Sequence, residues 1–548
     1  MTQPPEHHEP PPSGTTPEEK RDPAPSLVRS AGSIGAATFL SRTMGFVRDV
    51  FIAQIFGAGL VADAFFVAFA SPSMFRRLLT EGALTSAFIP VYSDERAQKG
   101  EPAARRFSGA MVLILAGALA LICLLGIVFA GPLVAALAPG FTRNAEKFGL
   151  TTRLTQVMFP FLFFIGLSAI ATGVLNAARR FFLPALAPMV QNLAMIAALL
   201  AAGWLVDVET AIFWLAWSVV VGGALQLLVL IPLLLKLNIA PLPANPWRVP
   251  GVNRCLTLMG PAAFGAAILQ VNVLVDRWLA SFLAEGSISY LYYANRLVQF
   301  PHGILSLAVT AAAFPVLSDR AAQSRHGGEG ESSGRSTLIE AGRLTLFITL
   351  PATMGLMALA HPIMEVLFER GAFGPAESAA SAAAVRAYAV GLVFFGIVRL
   401  MAAAFHSRLD TRYPVRCANW SVLAHIILSL ALMVPLGYVG LALATSTASA
   451  LNAYLLYLGI RSSGEWPGEE LARSAKQLLF ISIVMGGFIY SVNWAVWPSE
   501  AAAIVRGAVL FGEIVLGAAV FLLLCKWIAP EHSALWRGIF RRRRGNQG

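Results

Sequence analysis

Long apolar stretches, separated by short polar or Gly/Pro-rich breaks, occupy almost the whole chain between residues 26 and 530. We count fourteen of them, and each is about 20 residues or longer, enough to cross a hydrocarbon layer about 30 Å thick. Their centres lie near residues 43, 77, 120, 163, 193, 222, 270, 303, 348, 393, 424, 449, 483 and 515. The pattern predicts an all-α, polytopic membrane protein with fourteen transmembrane helices, numbered here as spans 1 to 14.

Polar segments flank the apolar region at both ends. Residues 1–25 are rich in proline and charge and cannot bury enough apolar surface to fold, so we expect a disordered cytoplasmic tail. They lack the basic start and apolar core of a cleavable signal peptide, which leaves membrane insertion to span 1. Residues 531–548 contain four consecutive arginines, and we expect them to form a basic cytoplasmic tail.

Two motifs recur with an offset of about 225 to 230 residues. AFIPVYSDER at 87–96 returns as AFPVLSDR at 313–320, and LNAARRFFLP at 175–184 is echoed by FHSRLDTRYP at 405–414. Such parallel repeats predict two pseudo-symmetric six-helix lobes inserted the same way up, with a central cavity between them. The predicted units are an N-lobe at 26–240 with spans 1 to 6, a C-lobe at 241–465 with spans 7 to 12, and two C-terminal helices at 466–530.

The composition excludes a large soluble domain. Hydrophobic residues make up 57% of the chain and charged residues 13%, with a mean hydropathy of +0.67. The net charge of +11 comes largely from Arg and Lys in the connections on one side, which the positive-inside rule places in the cytoplasm together with both termini. No soluble basic face remains for nucleic acid. The four cysteines lack metal-binding spacing, so we expect neither disulfides nor a metal site.

Three arginines are predicted to lie deep in the membrane. Arg48 is nine residues inside the turn at Gly57, and Arg296 is ten residues inside the turn at Gly286. At a rise of about 1.5 Å per residue, both lie about 14 to 15 Å deep, and Arg76 lies somewhat closer to the cytoplasm. An arginine exposed to lipid at that depth costs at least about 2.5 kcal/mol. We therefore expect all three to face a hydrated interior.

Local neutralisation is the alternative explanation for these charges. Glu81 is four residues from Arg77 on the same helix face, and Asp49 is two turns from Arg42. Arg296 has no such carboxylate on its own helix, so positive charge remains in excess. A cavity with surplus guanidinium groups suits an anionic ligand, and the arginine fork matches the oxygens of a phosphate.

Two carboxylates stand alone within the predicted spans. They are Asp63 and Asp276, and Asp276 is followed directly by Arg277 in VNVLVDRWLA. For Asp276, a role in ion coupling competes with a structural pairing. No phosphate-binding loop, nucleophile elbow or pair of catalytic carboxylates occurs, so neither an ATP-driven pump nor a membrane-embedded enzyme is indicated.

Four long motifs carry a family resemblance. They are SRTMGFVRD at 41–49, FGAGLVADAFFVAF at 56–69, RRLLTEGALTSAFIPV at 76–91 and YYANRLVQFPHGILSLAV at 292–309. Together they closely resemble the MurJ (MviN) family of lipid II flippases, which belongs to the multidrug/oligosaccharidyl-lipid/polysaccharide (MOP) exporter superfamily. The resemblance covers spans 1 to 12 in order, with the two extra helices in place.

The resemblance implies a flippase that moves undecaprenyl-pyrophosphate-linked disaccharide-pentapeptide from the inner to the outer leaflet of the bacterial cytoplasmic membrane by alternating access. It implies that Arg48, Arg76 and Arg296 bind the pyrophosphate in a central cavity. It also implies supporting positions on the cavity wall, at Ser41, Arg42, Asp63, Arg77, Asn295 and Gln299. Asn295 and Gln299 replace acids found in some relatives, which makes this cavity more positive. Spans 13 and 14 are implied to form a groove for the polyprenyl tail.

The resemblance implies no cofactor but a driving input, either sodium or the membrane potential. Asp276 of span 7 is a candidate sodium ligand, although its candidate partners His425 and Ser429 of span 11 do not make a clean set of oxygen ligands. We expect the two lobes to rock, with Gly45 and the turn at 57–59 absorbing the backbone change. We also expect a monomer, with enzymes of cell-wall synthesis as candidate partners.

Three other functions fit parts of the pattern. An exporter of another polyprenyl-pyrophosphate-linked glycan shares the same chemistry and is separated only by the motif match. An exporter of drug cations is disfavoured, because surplus arginine raises the free energy of binding a cation. A non-transporting scaffold that recruits cell-wall enzymes predicts that the cavity arginines are dispensable.

Overall fold

The computed structural model describes residues 24–77, 84–312, 330–407, 410–462 and 468–531. Within these ranges the chain forms sixteen α-helices, two short 3-10 helices and no β-strand. The α-helices are α1 (Ala24–Phe56), α2 (Leu60–Arg76), α3 (Thr85–Lys99), α4 (Glu101–Val128), α5 (Ala130–Leu137), α6 (Ala145–Met158), α7 (Phe161–Ala177), α8 (Phe182–Leu205), α9 (Val208–Lys236), α10 (Pro250–Ala280), α11 (Ser287–Ala312), α12 (Gly330–Phe368), α13 (Pro375–Ser407), α14 (Arg412–Ser462), α15 (Gly468–Val496) and α16 (Ala503–Ile528). The prediction of an all-α fold is confirmed.

The fourteen predicted spans all fall on these helices. Spans 11 and 12 are the two halves of α14, and span 4 includes α6 and α7. Span 2 includes α2 and the start of α3, and residues 78–83 between them lie outside the described ranges. In the described part of the chain, nine helical segments are long and apolar enough to cross a membrane. Those segments carry ten spans, and the other four are spans 1, 2, 7 and 8. The polytopic membrane fold is confirmed, while the lobe boundaries stay a prediction.

All four remaining spans carry charged side chains inside their apolar stretches. In α1, Arg42, Arg48 and Asp49 fall within two turns. A charged helix avoids the cost of facing lipid when protein or water surrounds it. The residues from Ala62 to Ala68 of α2 are accordingly all buried. Charge and burial therefore place spans 1 and 2 in the interior of the bundle, where a polar cavity can form.

Helix α14 bends where its two spans meet. Gly437 has a φ of 57°, a left-handed conformation that glycine adopts without strain, and Pro435 removes a backbone donor two residues earlier. The second half of α14 packs closely on α13, where a Cβ on Gly391 would lie 2.7 Å from Ser446 Oγ. Small residues at such crossings let transmembrane helices approach one another.

The last two helices form their own apolar contact with α12. Leu478 and Ile481 of α15 and Phe521 of α16 are buried in one cluster with Phe347 and Leu350 of α12. The predicted C-terminal pair is thus attached to the side of the bundle through span 9. Its predicted role as a groove for a lipid tail stays a prediction.

Candidate functional site

A cavity of about 610 Å³ lies between helices of the predicted N-lobe and helices of the predicted C-lobe. Nine of the ten predicted site residues line it, and the exception is Asp63. Of the residues described, its wall carries six arginines and a single carboxylate, Asp276. The arginines are Arg42, Arg48, Arg76, Arg77, Arg277 and Arg296. The charge on the wall is therefore strongly positive.

One buried carboxylate organises two of these arginines. Asp49 is fully buried, and its Oδ1 accepts hydrogen bonds from Arg48 Nε at 2.9 Å and Arg48 Nη2 at 2.6 Å. Its Oδ2 lies 2.7 Å from Arg296 Nε, so the same side chain joins α1 to α11. Arg48 and Arg296 share one acid, which leaves net positive charge at this point of the cavity.

Two polar residues that sequence reasoning missed complete this network. Asn192 of α8 accepts a hydrogen bond from Arg48 Nη1 at 3.0 Å, and its amide donates to the carbonyl of Ser41 at 3.3 Å. The hydroxyl of Tyr292 lies 3.2 Å from both Arg48 Nη2 and Asp49 Oδ1. The available signal for Asn192 was a pair of adjacent amides, with Gln191, inside the otherwise apolar α8.

Two glycines leave room for the guanidinium groups. A Cβ on Gly45 would lie 2.6 Å from Arg296 Nη2, so Gly45 of α1 allows the Arg296 side chain to reach Asp49. A Cβ on Gly303 of α11 would collide with Arg42. The considered pairing of Arg42 with Asp49 is wrong, because both oxygens of Asp49 are taken by other arginines.

Amide side chains fill the polar wall beside the arginines. Arg77, the residue after α2, donates from Nη1 to Gln270 Oε1 of α10 at 3.2 Å. Its considered partner Glu81 lies outside the described residues. On α11, Gln299 Nε2 donates to Asn295 Oδ1 at 2.7 Å, and both amides line the cavity.

Asp63 lies away from the cavity, so its predicted place on the wall is wrong. It is in the first turn of α2 and 1% exposed, with its Oδ2 2.7 Å from Lys147 Nζ. It also accepts hydrogen bonds from the backbone N–H groups of Gly286 and Ser289 at 2.9 Å and from Ser289 Oγ at 2.7 Å. A position so close to the end of α2 puts the carboxylate beside the N-terminus of α11, whose unpaired N–H groups attract it.

A second carboxylate makes the reverse contact. Glu285, just before α11, accepts a hydrogen bond through Oε1 from the backbone N–H of Leu60 at 2.7 Å, the first residue of α2. The N-termini of α2 and α11 are thus each capped by an acid from the other side of the predicted lobe interface. We call this end of the bundle, with the turns before α2 and α11, the sealed end.

Close backbone contacts reinforce the sealed end. The N–H of Ala372 donates to the carbonyl of Gln54 at 2.8 Å, and Tyr293 donates its hydroxyl to the carbonyl of Gly57 at 3.1 Å. A Cβ on Gly57, where φ is 63°, would lie 2.5 Å from the Ala372 carbonyl oxygen. Since the chains approach at backbone distance here, the described residues close this end of the bundle around Gly57 and Ala372.

Asp276 lies beside a histidine and a threonine of α14. His425 Nε2 lies 3.0 Å from Asp276 Oδ1, and Thr445 Oγ1 lies 3.4 Å from Oδ2. Ser429 Oγ contacts the histidine at 3.3 Å. A hard cation needs several converging oxygens, whereas imidazole is a ligand for softer metals and here occupies one carboxylate oxygen. A sodium-binding role for Asp276 stays a prediction.

The fold and the cavity define a polytopic membrane transporter with a positively charged central site. A family model described as "Lipid II flippase MurJ" matches residues 52–499. The lipid II flippase MurJ of Burkholderia cenocepacia is 34% identical over 521 residues, which cover 93% of this chain and 99% of that protein. The chain belongs to the lipid II flippase MurJ family.

Solved structures agree with this assignment. A structure of lipid II flippase MurJ in an inward closed conformation matches with a TM-score of 0.76 and 26% identity, over 91% of this chain and 99% of that one. An inward-facing MATE-family multidrug transporter of the MOP superfamily matches with a TM-score of 0.61 at 11% identity, over 81% of this chain and 99% of that one. The second match shows a shared fold alone. The family resemblance drawn from the motifs is confirmed.

Proposed function

We propose that this protein is a flippase that moves lipid II from the inner to the outer leaflet of the bacterial cytoplasmic membrane. The observation that carries the proposal is the cavity wall with six arginines and a single carboxylate among the described residues. A pyrophosphate loses its hydration as it enters the membrane, and guanidinium groups can replace that water with charge-assisted hydrogen bonds. We assign this role to Arg48, Arg76 and Arg296.

The mechanism is alternating access, with the sealed end facing the periplasm and both termini in the cytoplasm. The basic connections on one side support this orientation. Opening toward the periplasm requires the cap contacts of Asp63 and Glu285 to break and the two predicted lobes to rock apart. The polyprenyl tail stays in the apolar phase beside α15 and α16 while the head group crosses. The protein acts as a monomer, and enzymes that make or use lipid II are its candidate partners.

The membrane potential is the driving input that we propose. When a negatively charged head group moves outward across an inside-negative membrane, its electrostatic free energy falls by about 2.3 kcal/mol per charge for each 100 mV. Sodium is disfavoured by the His425 contact with Asp276. Vesicles with a potassium diffusion potential should therefore flip lipid II faster than depolarised vesicles, with or without sodium. Equal rates at all potentials, with acceleration by a sodium gradient, would overturn this assignment.

The flippase proposal is tested with purified protein in vesicles that contain lipid II on one leaflet. Wild-type protein should transfer lipid II. The variants Arg48→Ala, Arg76→Ala and Arg296→Ala should each lower the transfer rate at least about tenfold, because each loses a charge-assisted hydrogen bond to the pyrophosphate. Arg153→Ala is the matched control, because Arg153 is exposed on α6. Full activity of all three variants would favour a scaffold. Transfer of another polyprenyl-pyrophosphate glycan without transfer of lipid II would favour the related exporter.

A further inference from the structure

Arg277 is a cation on the cavity wall that no described residue neutralises. Arg48 has four side-chain partners, and Arg296 pairs with Asp49. Arg277 of α10 also lines the cavity, yet its side chain makes no hydrogen bond or ion pair within the described ranges. A guanidinium group held inside a membrane protein without an acceptor is costly, so its retention indicates that it meets its acceptor in a ligand.

The adjacent acid does not serve as that acceptor. Successive residues on a helix point about 100° apart, because the helix has 3.6 residues per turn. The Asp276 carboxylate is directed to α14, where His425 contacts it at 3.0 Å and Thr445 at 3.4 Å. The charge of Arg277 therefore remains available to the cavity.

A second arginine, from the other predicted lobe, lies on the cavity wall with Arg277. Arg277 and Arg77 both line the central cavity of about 610 Å³, which has room for an oxyanion, and they also border a gap between α2 and α10 together with Gln270. Arg77 belongs to the predicted N-lobe and Arg277 to the predicted C-lobe. Two like charges at one gap repel each other, and an oxyanion between them would be attracted to both.

We propose that Arg277, with Arg77, forms a second oxyanion subsite, distinct from the network of Arg48, Asp49 and Arg296. It takes a second anionic group of the lipid-linked substrate, a phosphate or a carboxylate, and thus rests on the proposed function. Because the subsite is built from α2 and α10, its occupancy draws the two predicted lobes together. Substrate loading then stabilises one arrangement of the lobes over the other, as alternating access requires.

Binding of two ligands to the full-length protein in detergent tests the subsite. The ligands are lipid II and undecaprenyl pyrophosphate, which carries neither the sugars nor any carboxylate. Arg277→Gln should weaken lipid II binding about tenfold or more. Arg277→Lys should weaken it less, because lysine keeps the positive charge but lacks the planar guanidinium group that can donate two parallel hydrogen bonds. Arg153→Gln is the matched control, and an unchanged melting temperature shows that each variant folds.

The two ligands separate the two sources of the oxyanion. If Arg277→Gln weakens both ligands equally, the subsite holds a phosphate, and if it weakens lipid II alone, the subsite holds a peptide carboxylate. The subsite is rejected if Arg277→Gln binds both ligands like wild type while Arg48→Ala binds neither. If wild-type protein binds neither ligand, the proposed function fails and the subsite fails with it.

Discussion

The carboxylate of Asp49 on α1 lies 2.7 Å from the Nε atom of Arg296 on α11. Its second oxygen holds Arg48, so one buried acid positions two guanidinium groups that come from distant parts of the chain. The acid is 0% exposed, and in that environment its charge acts strongly on both arginines. Asp49 therefore determines where the cations of the cavity are held, and it spans the predicted lobe interface at the same time.

Removal of this charge should destabilise the protein. In Asp49→Asn the two arginines face each other without a counter-charge, and loss of one partner of a buried pair costs about 3–5 kcal/mol. The side chain of Arg296 is 30% exposed, so water screens part of the effect and we expect about 2 kcal/mol. The measurement is the melting temperature of the purified protein in detergent.

A double variant separates charge balance from function. Asp49→Asn combined with Arg296→Gln leaves one arginine without a counter-charge instead of two, so it should melt closer to wild type than Asp49→Asn alone. It should not recover lipid II transfer, because a cavity cation is lost. A double variant that melts below both single variants would contradict this account of Asp49.

The helices could be predicted from the sequence, but the side chains that pair with the buried charged residues could not. A span is a local property, because about 20 apolar residues must satisfy their own backbone in a membrane. The pairing of Asp49 with Arg296 depends on how α1 meets α11, which no local pattern specifies. The membrane depth of Arg48 and Arg296 was nevertheless predictable, because each depth follows from the number of residues that separate the arginine from a turn at the same end of the bundle.

Asp63 shows that a matching motif does not by itself place a side chain on the cavity wall. It was assigned to the cavity wall, but it caps α11 and pairs with Lys147 at the sealed end. Lys147 lies in α6, outside the most apolar part of span 4, so its sequence context gave no sign of a buried ion pair. Contacts between a helix end and a side chain far along the chain require the tertiary structure.

Gly45 should be needed for the position of Arg296, and not only for backbone flexibility. In Gly45→Ala the new Cβ would lie 2.6 Å from Arg296 Nη2 and displace the guanidinium from Asp49. We expect at least a tenfold fall in the transfer rate. The amount of folded protein should change little, because the end of the flexible Arg296 side chain can move away from the new methyl group. The matched control is Gly35→Ala on the same helix, where nothing lies within 4 Å of the new Cβ. Equal activity of both variants would count against the positioning role.

The sealed end should have to open in each transport cycle. Leu60 and Glu285 are neighbours, because the backbone N of Leu60 lies 2.7 Å from Glu285 Oε1, so cysteines in their place can be joined by a short thiol-reactive cross-linker. Cross-linking should stop lipid II transfer, and cleavage of a reducible linker should restore it. The native cysteines are all buried and give a low background. Continued transfer in fully cross-linked protein would show that substrate leaves by another route.

A buried ion pair should attach the last two helices to the bundle. Glu365 of α12 pairs with Arg506 of α16, and its other oxygen accepts a hydrogen bond from Trp497 Nε1 at 3.0 Å. The side chains of Glu365 and Arg506 are only 8% and 18% exposed, so Arg506→Ala should cost about 3 kcal/mol by leaving a buried carboxylate without its cation. The melting temperature should fall, whereas Arg153→Ala should leave it unchanged. Glu365→Gln combined with Arg506→Met should restore most of the loss, because neither charge then remains buried. If the double variant is the least stable of the three, the ion pair is not what attaches α16 to α12.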